Sequence, residues 1–287
     1  MALTDPQIVK AANVALTEAQ GTINYLKQFA FDASNEFVPA GKTVKIPVAS
    51  VGDISAFNKT TNNFEKNDGS IAWEAINLDT PIKATFEVDA EDLVKMNAGA
   101  YAYTFGKACA DKIQREISKK IGGLFNTTDV TKTVTLPAKK SLTLLDIASL
   151  RGDCIARPAD TVLMLDTSTY AEVLALAPNG QYGIASAIQG GYFEGLFGFA
   201  SVVEAVDLPS GVRGALLPKS NLVIANRGFE VADASCYSEY GSETDENTGF
   251  SITMMRHGDP ATGSMYLNAV ALFGMALIKK SETKLLV

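Results

Sequence analysis

Residue types that perform catalysis or bind metals are scarce in this sequence. His257 is the single histidine among 287 residues. This excludes a histidine-pair zinc site and leaves one possible general base of that type. His257 precedes a Gly-Asp-Pro turn, which favours a surface or interface position over a catalytic one. The sequence contains no Cys-x-x-Cys pair and no Gly-x-Ser-x-Gly elbow. We therefore expect no enzyme, with no catalytic residues, no cofactor and no metal site.

The cysteines and one glycine-lysine pair also give no clear sign of a catalytic or nucleotide-binding site. Cys109, Cys154 and Cys236 are far apart, and an odd, sparse count predicts free thiols in a reducing compartment. Gly41-Lys42-Thr43 resembles the end of a phosphate-binding loop, but Glu36 stands where that motif requires glycine. The segment also leads into a predicted strand instead of a helix, so nucleotide binding there is disfavoured.

One stretch concentrates acidic side chains and contains no Lys or Arg. Its members are Glu230, Asp233, Glu239, Glu243, Asp245 and Glu246. A cation site between subunits is one interpretation, although the spacing does not match a calcium loop. A solvated acidic loop is the interpretation that we favour.

Composition and charge restrict the class of protein further. The chain has 25 Lys and Arg against 32 Asp and Glu, a net charge of −7, which argues against a dedicated nucleic-acid binder. Its 47% hydrophobic and 20% charged residues are typical of globular proteins, and its length suggests two domains or one extended domain. The longest apolar run, 269–278, is shorter than the roughly 18 residues that span a bilayer. The first residues do not resemble a secretory signal, so we expect a soluble protein made in the cytoplasm.

Two unusual elements are predicted in the first third of the chain. Apolar residues at helical spacing before residue 20 indicate either a projecting arm or an ordinary first helix. Apolar residues then alternate in two arms, separated by a polar tip at 58–70, which predicts a long β-hairpin. Such a hairpin is marginal alone and must lie on the body of the chain or on a neighbour. Phe64, the single aromatic residue in the tip, either folds back onto its own strands or anchors in a neighbouring subunit.

A long helix is predicted over 89–124. Its apolar residues recur every fourth position: Tyr101, Phe105, Cys109, Ile113, Ile117 and Ile121. A helix of about 36 residues is a rod of roughly 54 Å, which suits a central spine. The Gly122-Gly123 pair is expected to end it.

The rest of the chain alternates short elements and predicts an α+β fold. Helices are expected at 141–156 and 168–177, the second capped by Asp166. Strands are expected at 131–136, 161–165, 200–206, 215–217, 229–234, 250–256 and 265–278.

The order of these parts resembles one family. VKIPVAS with the returning IAWEAINLDTPIKATFEVDAEDL is similar to an extended loop that runs into a spine helix. RPADTVLMLDTSTYAEVLAL, GYFEGLFGFASVVEAVDLPSG and GALLPKSNLVIANRG resemble the opening and the glycine-led middle of an axial domain. MMRHGD and YLNAVALFGMALIKK resemble its closing strands and the return to the peripheral domain. The chain thereby resembles the major capsid proteins of tailed bacteriophages, which share the Hong Kong 97 fold.

The resemblance implies an architecture with four regions. These are an N-terminal arm (1–41), an extended hairpin loop (42–88), a peripheral domain with the spine helix (89–148 and 266–287), and an axial domain (149–265). It also implies a self-assembling shell of pentamers and hexamers around double-stranded DNA, located in the virion after synthesis in the host cytoplasm. It further implies portal and decoration proteins as partners. Because no long charged N-terminal extension of the built-in scaffold type is seen, the resemblance implies a separate scaffolding protein or none.

Inter-subunit contacts are expected from Phe64, Lys59, Lys66 and Trp73 in the hairpin. Some family members link a lysine to an asparagine covalently, but no asparagine partner for Lys59 or Lys66 is identifiable. Two alternatives stay open: a cellular nanocompartment shell of the same fold that encloses a cargo enzyme, and an unrecognised two-domain enzyme.

Overall fold

The computed structural model describes residues 10–18, 26, 29–33, 43–50, 70–78, 81–88, 98–176, 192–219, 221–229, 236–244, 250–259, 261 and 264–287. Within them it has fourteen strands and a first helix at 10–18, here α1, which is followed by three longer helices.

The central element is helix α2, Ala98–Leu124, which packs on both of the larger sheets. Five members of the predicted ladder, Phe105, Cys109, Ile113, Ile117 and Ile121, are buried, and the side chain of the sixth, Tyr101, lies outside the described ones. Gly122 and Gly123 form its last turn, as their sequence position predicted. The start predicted at Asp89 lies outside the described residues.

The first sheet surrounds the longest strand of the protein. Strand β13, Met265–Leu277, pairs antiparallel with β10, Leu222–Arg227, with β12, Ser251–Gly258, and with β4, Ile82–Val88. Strand β11, Glu239–Thr244, adds to β12, and the short β1, Ala30–Asp32, adds in parallel to β10. Thirteen residues allow β13 to pair with three strands, so it joins distant parts of the chain.

The second sheet has the order β5-β14-β9-β6-β8-β7. Its two central strands, β6 at Thr161–Asp166 and β9 at Gly214–Pro218, are almost wholly buried. The outer strands are β8, Ser201–Ala205, β7, Tyr192–Glu194, β14, Lys284–Leu286, and β5, Thr133–Val134. Helices α3, Leu144–Asp153, and α4, Thr167–Leu176, supply residues to the core on one face of this sheet.

Local side-chain hydrogen bonds fix the starts of both short helices. The Thr143 and Asp146 side chains each accept a hydrogen bond from the other's backbone N–H, which forms a capping box at α3. Asp166 accepts from the Thr169 backbone N–H at 2.9 Å and from the Ser168 hydroxyl at 2.7 Å. Burial would raise the pKa of Asp166, but these bonds hold that pKa below its usual value. The predicted cap is confirmed.

Of the strand expected at 229–234, only residue 229 is described; it lies outside any strand, and the rest of that prediction lies outside the described residues. The favoured acidic loop is wrong over part of its length, because Glu239–Thr244 forms β11. Cross-strand pairing with β12 overrides the polar composition.

Candidate assembly surface

A two-stranded ribbon forms a third sheet, which is not hydrogen-bonded to the two larger ones. Strands β2, Thr43–Ser50, and β3, Ser70–Asn77, pair antiparallel over eight residue pairs. Directly opposite residues of an antiparallel pair point to the same face. Val44 opposite Ile76 therefore belongs to one face, and Pro47 opposite Trp73 belongs to the other.

One face of the ribbon is fixed to the body at its base. Val44, Ile46 and Ile76 are buried in a small cluster with Val223 and Ala225 of β10. A side chain at Gly274 of β13 would come within 2.7 Å of the Asn77 carbonyl oxygen and the Ile76 side chain, so only glycine admits the ribbon this closely. The base of the hairpin is thus held by the chain's own core.

The other face exposes large apolar side chains. Ile71 is 66% exposed and Trp73 is 63% exposed. They are two residues apart on one strand, so both point to the same side. Large aromatic and aliphatic residues that are left in water side by side on one strand are typical of surfaces that bind a partner. Trp73 is one of the contact residues predicted from the sequence, whereas Ile71 was not predicted, although strand alternation places both on one face.

The other predicted contact residues stay predictions. Phe64, Lys59 and Lys66 lie outside the described residues. Whether Phe64 folds back or anchors in a neighbour is therefore untested, and so are the contacts proposed for both lysines.

The N-terminal helix α1, residues 10–18, packs on the spine helix α2. Ala11, Ala12, Ala15 and Leu16 are buried in the main core. A side chain at Gly106 of α2 would meet the Ala11 carbonyl oxygen at 2.6 Å, and the Gln114 amide donates to the Glu18 carbonyl at 2.8 Å. In these nine residues the chain behaves as an ordinary first helix and not as a projecting arm.

His257 lies in a polar and aromatic setting on β12. Its ring stacks on Tyr266 with centroids 5.2 Å apart, and its Nδ1 lies 3.2 Å from the Asn268 side-chain nitrogen. Thr85 donates to the Asn268 oxygen at 2.8 Å, so the amide nitrogen faces the ring and Nδ1 accepts. The groups nearest to the imidazole are thus the Asn268 amide and tyrosine rings. They hold the imidazole in place, and none of them is a nucleophile that His257 could activate.

The three cysteines do not approach one another as a reactive group. All three are free thiols, buried at Cys109, half-buried at Cys154 and exposed at Cys236. Burial raises the pKa of the Cys109 thiol to about 12. A thiol with this pKa is protonated at physiological pH and has little nucleophilic reactivity.

The acidic stretch forms a structural ion pair where it is described. Glu239 pairs with Arg256 across β11 and β12, and both side chains are about nine-tenths buried. Within the described part of the chain, no group of His, Cys, Asp and Glu side chains could hold a metal ion. None of the described helices is long and apolar enough to cross a membrane.

No protein-family model matches the sequence, and neither does any curated protein. Solved structures do match. The capsid of an empty GTA particle is similar at a TM-score of 0.57 and 14% identity, over 92% of this chain and 89% of that chain. A virus-like particle from Pyrococcus furiosus gives 0.55 and 11% identity, over 97% and 98% respectively. The capsid of the cyanophage P-SCSP1u gives 0.53 and 12% identity, over 90% and 85%.

These similarities span nearly the whole length of each chain while sequence identity is low, so they show the fold. The chain has the α+β fold of capsid shell proteins, the Hong Kong 97 type that its sequence resembles.

Proposed function

We propose that this protein is the major capsid protein of a tailed bacteriophage. It self-assembles into pentamers and hexamers of an icosahedral shell that encloses double-stranded DNA. The observation that carries this proposal is the exposed Ile71 and Trp73 face on a ribbon whose base is already buried in the subunit's own core. Apolar area that the subunit cannot bury is available for burial against a neighbouring copy, and repeated heterologous contacts between copies close into shells.

The test removes this apolar face and leaves its base intact. The double variant Ile71→Ser, Trp73→Ser should remain folded, because both side chains are mostly in water, but should fail to form shells. Glu74→Ser is the matched control, since Glu74 is exposed on the same strand and points to the opposite face. Electron microscopy and sedimentation report assembly, and thermal unfolding reports the fold. Normal shells from the double variant would contradict the proposal.

A second candidate is an encapsulin-like nanocompartment shell that encloses a cargo enzyme. The observation in its favour is the similarity to the Pyrococcus furiosus virus-like particle, which spans 97% of this chain. Both candidates share the assembly surface and differ in content. Nuclease-protected DNA in particles purified from the natural source supports the phage shell, whereas a co-purifying enzyme supports the nanocompartment.

The remaining assignments belong to the same proposal. They are a location in the virion, synthesis in the host cytoplasm, and separate scaffolding, portal and decoration proteins as partners. An unrecognised two-domain enzyme is the least favoured alternative, because the described His257 and the cysteines are not arranged for catalysis. A stable monomer with a measurable turnover would support it instead.

A further inference from the structure

A cleft with an aromatic floor lies between strand β4 and the spine helix α2. It has a volume of about 420 Å³, and its apolar side chains are Ala84 and Phe86 of β4 and Ala108 of α2. The Phe86 ring packs edge-on against Phe105 with centroids 5.1 Å apart, which holds it in place. The cleft therefore presents a fixed aromatic ring to any side chain that enters it.

Two charged side chains of α2 line the same cleft. Asp111 and Arg115 are both exposed, and no ion pair engages either of them within the described part of the chain. Lys112 also lines the cleft, but it pairs with Glu116 at 3.4 Å. A guanidinium is attracted to the face of an aromatic ring, and a carboxylate accepts hydrogen bonds. The cleft thus combines an aromatic ring, a cation and a hydrogen-bond acceptor.

Tryptophan is the side chain that uses all three of these features. Its indole packs against another ring, attracts a cation to its face, and carries an N–H that donates a hydrogen bond. A phosphate or a carboxylate fits the same cleft less well, because the Asp111 carboxylate repels both. The mixed charge of the lining therefore favours an indole over an anion.

The protein has a single tryptophan, and its own subunit leaves that residue in water. Trp73 and Ile71 are both mostly exposed on one face of the ribbon, about 6.6 Å apart along the strand. A second depression, of about 270 Å³, adjoins the cleft, because Asp111 and Arg115 line both. It contains the mostly exposed side chain of Val206. Two apolar side chains on one strand are thus matched by two adjoining depressions that each contain apolar surface.

We infer that the ribbon of one copy docks on helix α2 of a neighbouring copy, with Trp73 in the cleft and Ile71 in the adjoining depression. The inference rests on the proposed shell function and names the surface that receives the exposed face of the ribbon. The indole packs on Phe86, lies under the Arg115 guanidinium and donates its N–H to Asp111. The ribbon and the cleft are different surfaces of one chain, so the contact is heterologous, and each copy gives its ribbon to one neighbour and receives that of another.

The outer face of helix α3 is the competing receptor for the ribbon. Leu144 and Leu145 at its start are mostly exposed. The adjacent Asp146 carboxylate is already engaged with Thr143 in the capping box. This helix surface is convex, whereas the residues that dominate interfaces are typically aromatic side chains and arginines seated in pockets. The cleft is therefore the better receptor for Trp73.

The test uses two variants that each lack one of the two surfaces. Ile71→Ser with Trp73→Ser, the ribbon variant, keeps the cleft, whereas Ala108→Leu with Arg115→Gln, the cleft variant, keeps the ribbon. Neither should form shells alone. Trp73 reports docking, because the emission of a tryptophan moves to shorter wavelengths when the indole leaves water. Adding the ribbon variant, which has no tryptophan, to the cleft variant should produce this shift, and the shift should saturate at a one-to-one dimer.

Ala148→Leu with Arg151→Gln is the matched control. It makes the same two changes at exposed positions of α3, the competing receptor. The cleft variant should raise the protein concentration needed for assembly at least tenfold, and the control should change it less than twofold. Circular dichroism and thermal unfolding report whether each variant is folded. If the cleft variant is unfolded, Arg115→Gln alone keeps the cleft open and should raise the assembly concentration at least threefold.

Several results would overturn the inference. Normal shells from the folded cleft variant would show that the cleft receives nothing, and loss of assembly in the control alone would assign the ribbon to α3. A shift of Trp73 emission in the cleft variant by itself would show that ribbons pair with each other. No shift in the mixture at about 1 mM protein would exclude even weak docking. Failure of the unmodified protein to form shells would instead contradict the proposed function, and a one-to-one shift in the mixture would still support docking in the cleft.

Discussion

At the scale of single residues, burial on the spine helix determines both packing and reactivity. Ile113, Ile117 and Cys109 have no exposed surface, and all three lie in the main core cluster. The same burial that stabilises the isoleucines raises the pKa of Cys109, because a thiolate loses its hydration there.

Replacing Ile113 or Ile117 with Ala should lower the free energy of unfolding of the subunit by about 2–5 kcal/mol, because each change leaves a cavity in a fully buried site. Urea denaturation followed by circular dichroism measures the loss. Lys119→Ala, on the exposed face of the same helix, is the control and should change stability by less than about 0.5 kcal/mol. A loss that small at Ile113 would show that the buried face is misassigned.

The cysteines should react with a thiol reagent in an order that follows their burial. A pKa of about 12 leaves only about one Cys109 thiol in ten thousand ionised at pH 8. Exposed Cys236 should therefore react with Ellman's reagent within minutes, whereas Cys109 should react only after unfolding in guanidinium. Cys236→Ser should remove the fast phase. A fast phase that survives this substitution would contradict the assigned burial.

At the scale of elements, close backbone approaches fix how the spine helix meets the second sheet. A Cβ at Gly122 would lie 2.0 Å from the Asp207 carbonyl oxygen, in the connection that follows β8. A Cβ at the next residue, Gly123, would have nothing within 4 Å. Two adjacent glycines at the end of one helix thus have different physical roles.

Gly122→Ala should destabilise the subunit by about 1–3 kcal/mol, because the added methyl group must displace the main chain at Asp207. Gly123→Ala is the matched control and should be neutral or stabilising by up to about 1 kcal/mol, since alanine is the better helix former. Thermal and urea unfolding of the two variants measure the difference. Equal stability would show that α2 does not approach Asp207 this closely.

At the scale of the whole molecule, the ribbon divides its interactions between its own subunit and a proposed neighbour. Its base buries Val44, Ile46 and Ile76 in the chain's own core, whereas Ile71 and Trp73 remain in water. We expect a subunit of this kind to fold alone and to bury its remaining apolar area only by assembly. In a closed shell of identical copies, every such surface is buried against a neighbouring copy.

Replacing the polar tip 58–69 by an Asn-Gly turn should leave a soluble and folded subunit that no longer builds stable shells. The composition of the tip offers little apolar area to the subunit's own core, so stability should not depend on it. Thermal unfolding of the subunit tests the first half of this prediction, and electron micrographs of the assembly reaction test the second. Normal shells, or an unfolded subunit, would contradict it.

The sequence by itself determined the elements whose signals are local. The fourfold apolar spacing gave the buried face of α2, and Asp166 marked the start of α4, because both depend on residues within one or two turns. Apolar alternation likewise predicted β2 and β3. The order of these elements was enough for the resemblance to capsid proteins that the structural similarities support.

Only the tertiary structure decided what depends on distant partners. Strand β11 forms from a polar, acidic segment because β12 supplies its hydrogen bonds and Arg256 neutralises Glu239. Strand β4 pairs with β13, about 180 residues later, and both strands pack on α2. The exposure of Ile71 could not be predicted from the sequence either. Alternation shows that the two faces of a strand differ, but not which face packs on the rest of the protein.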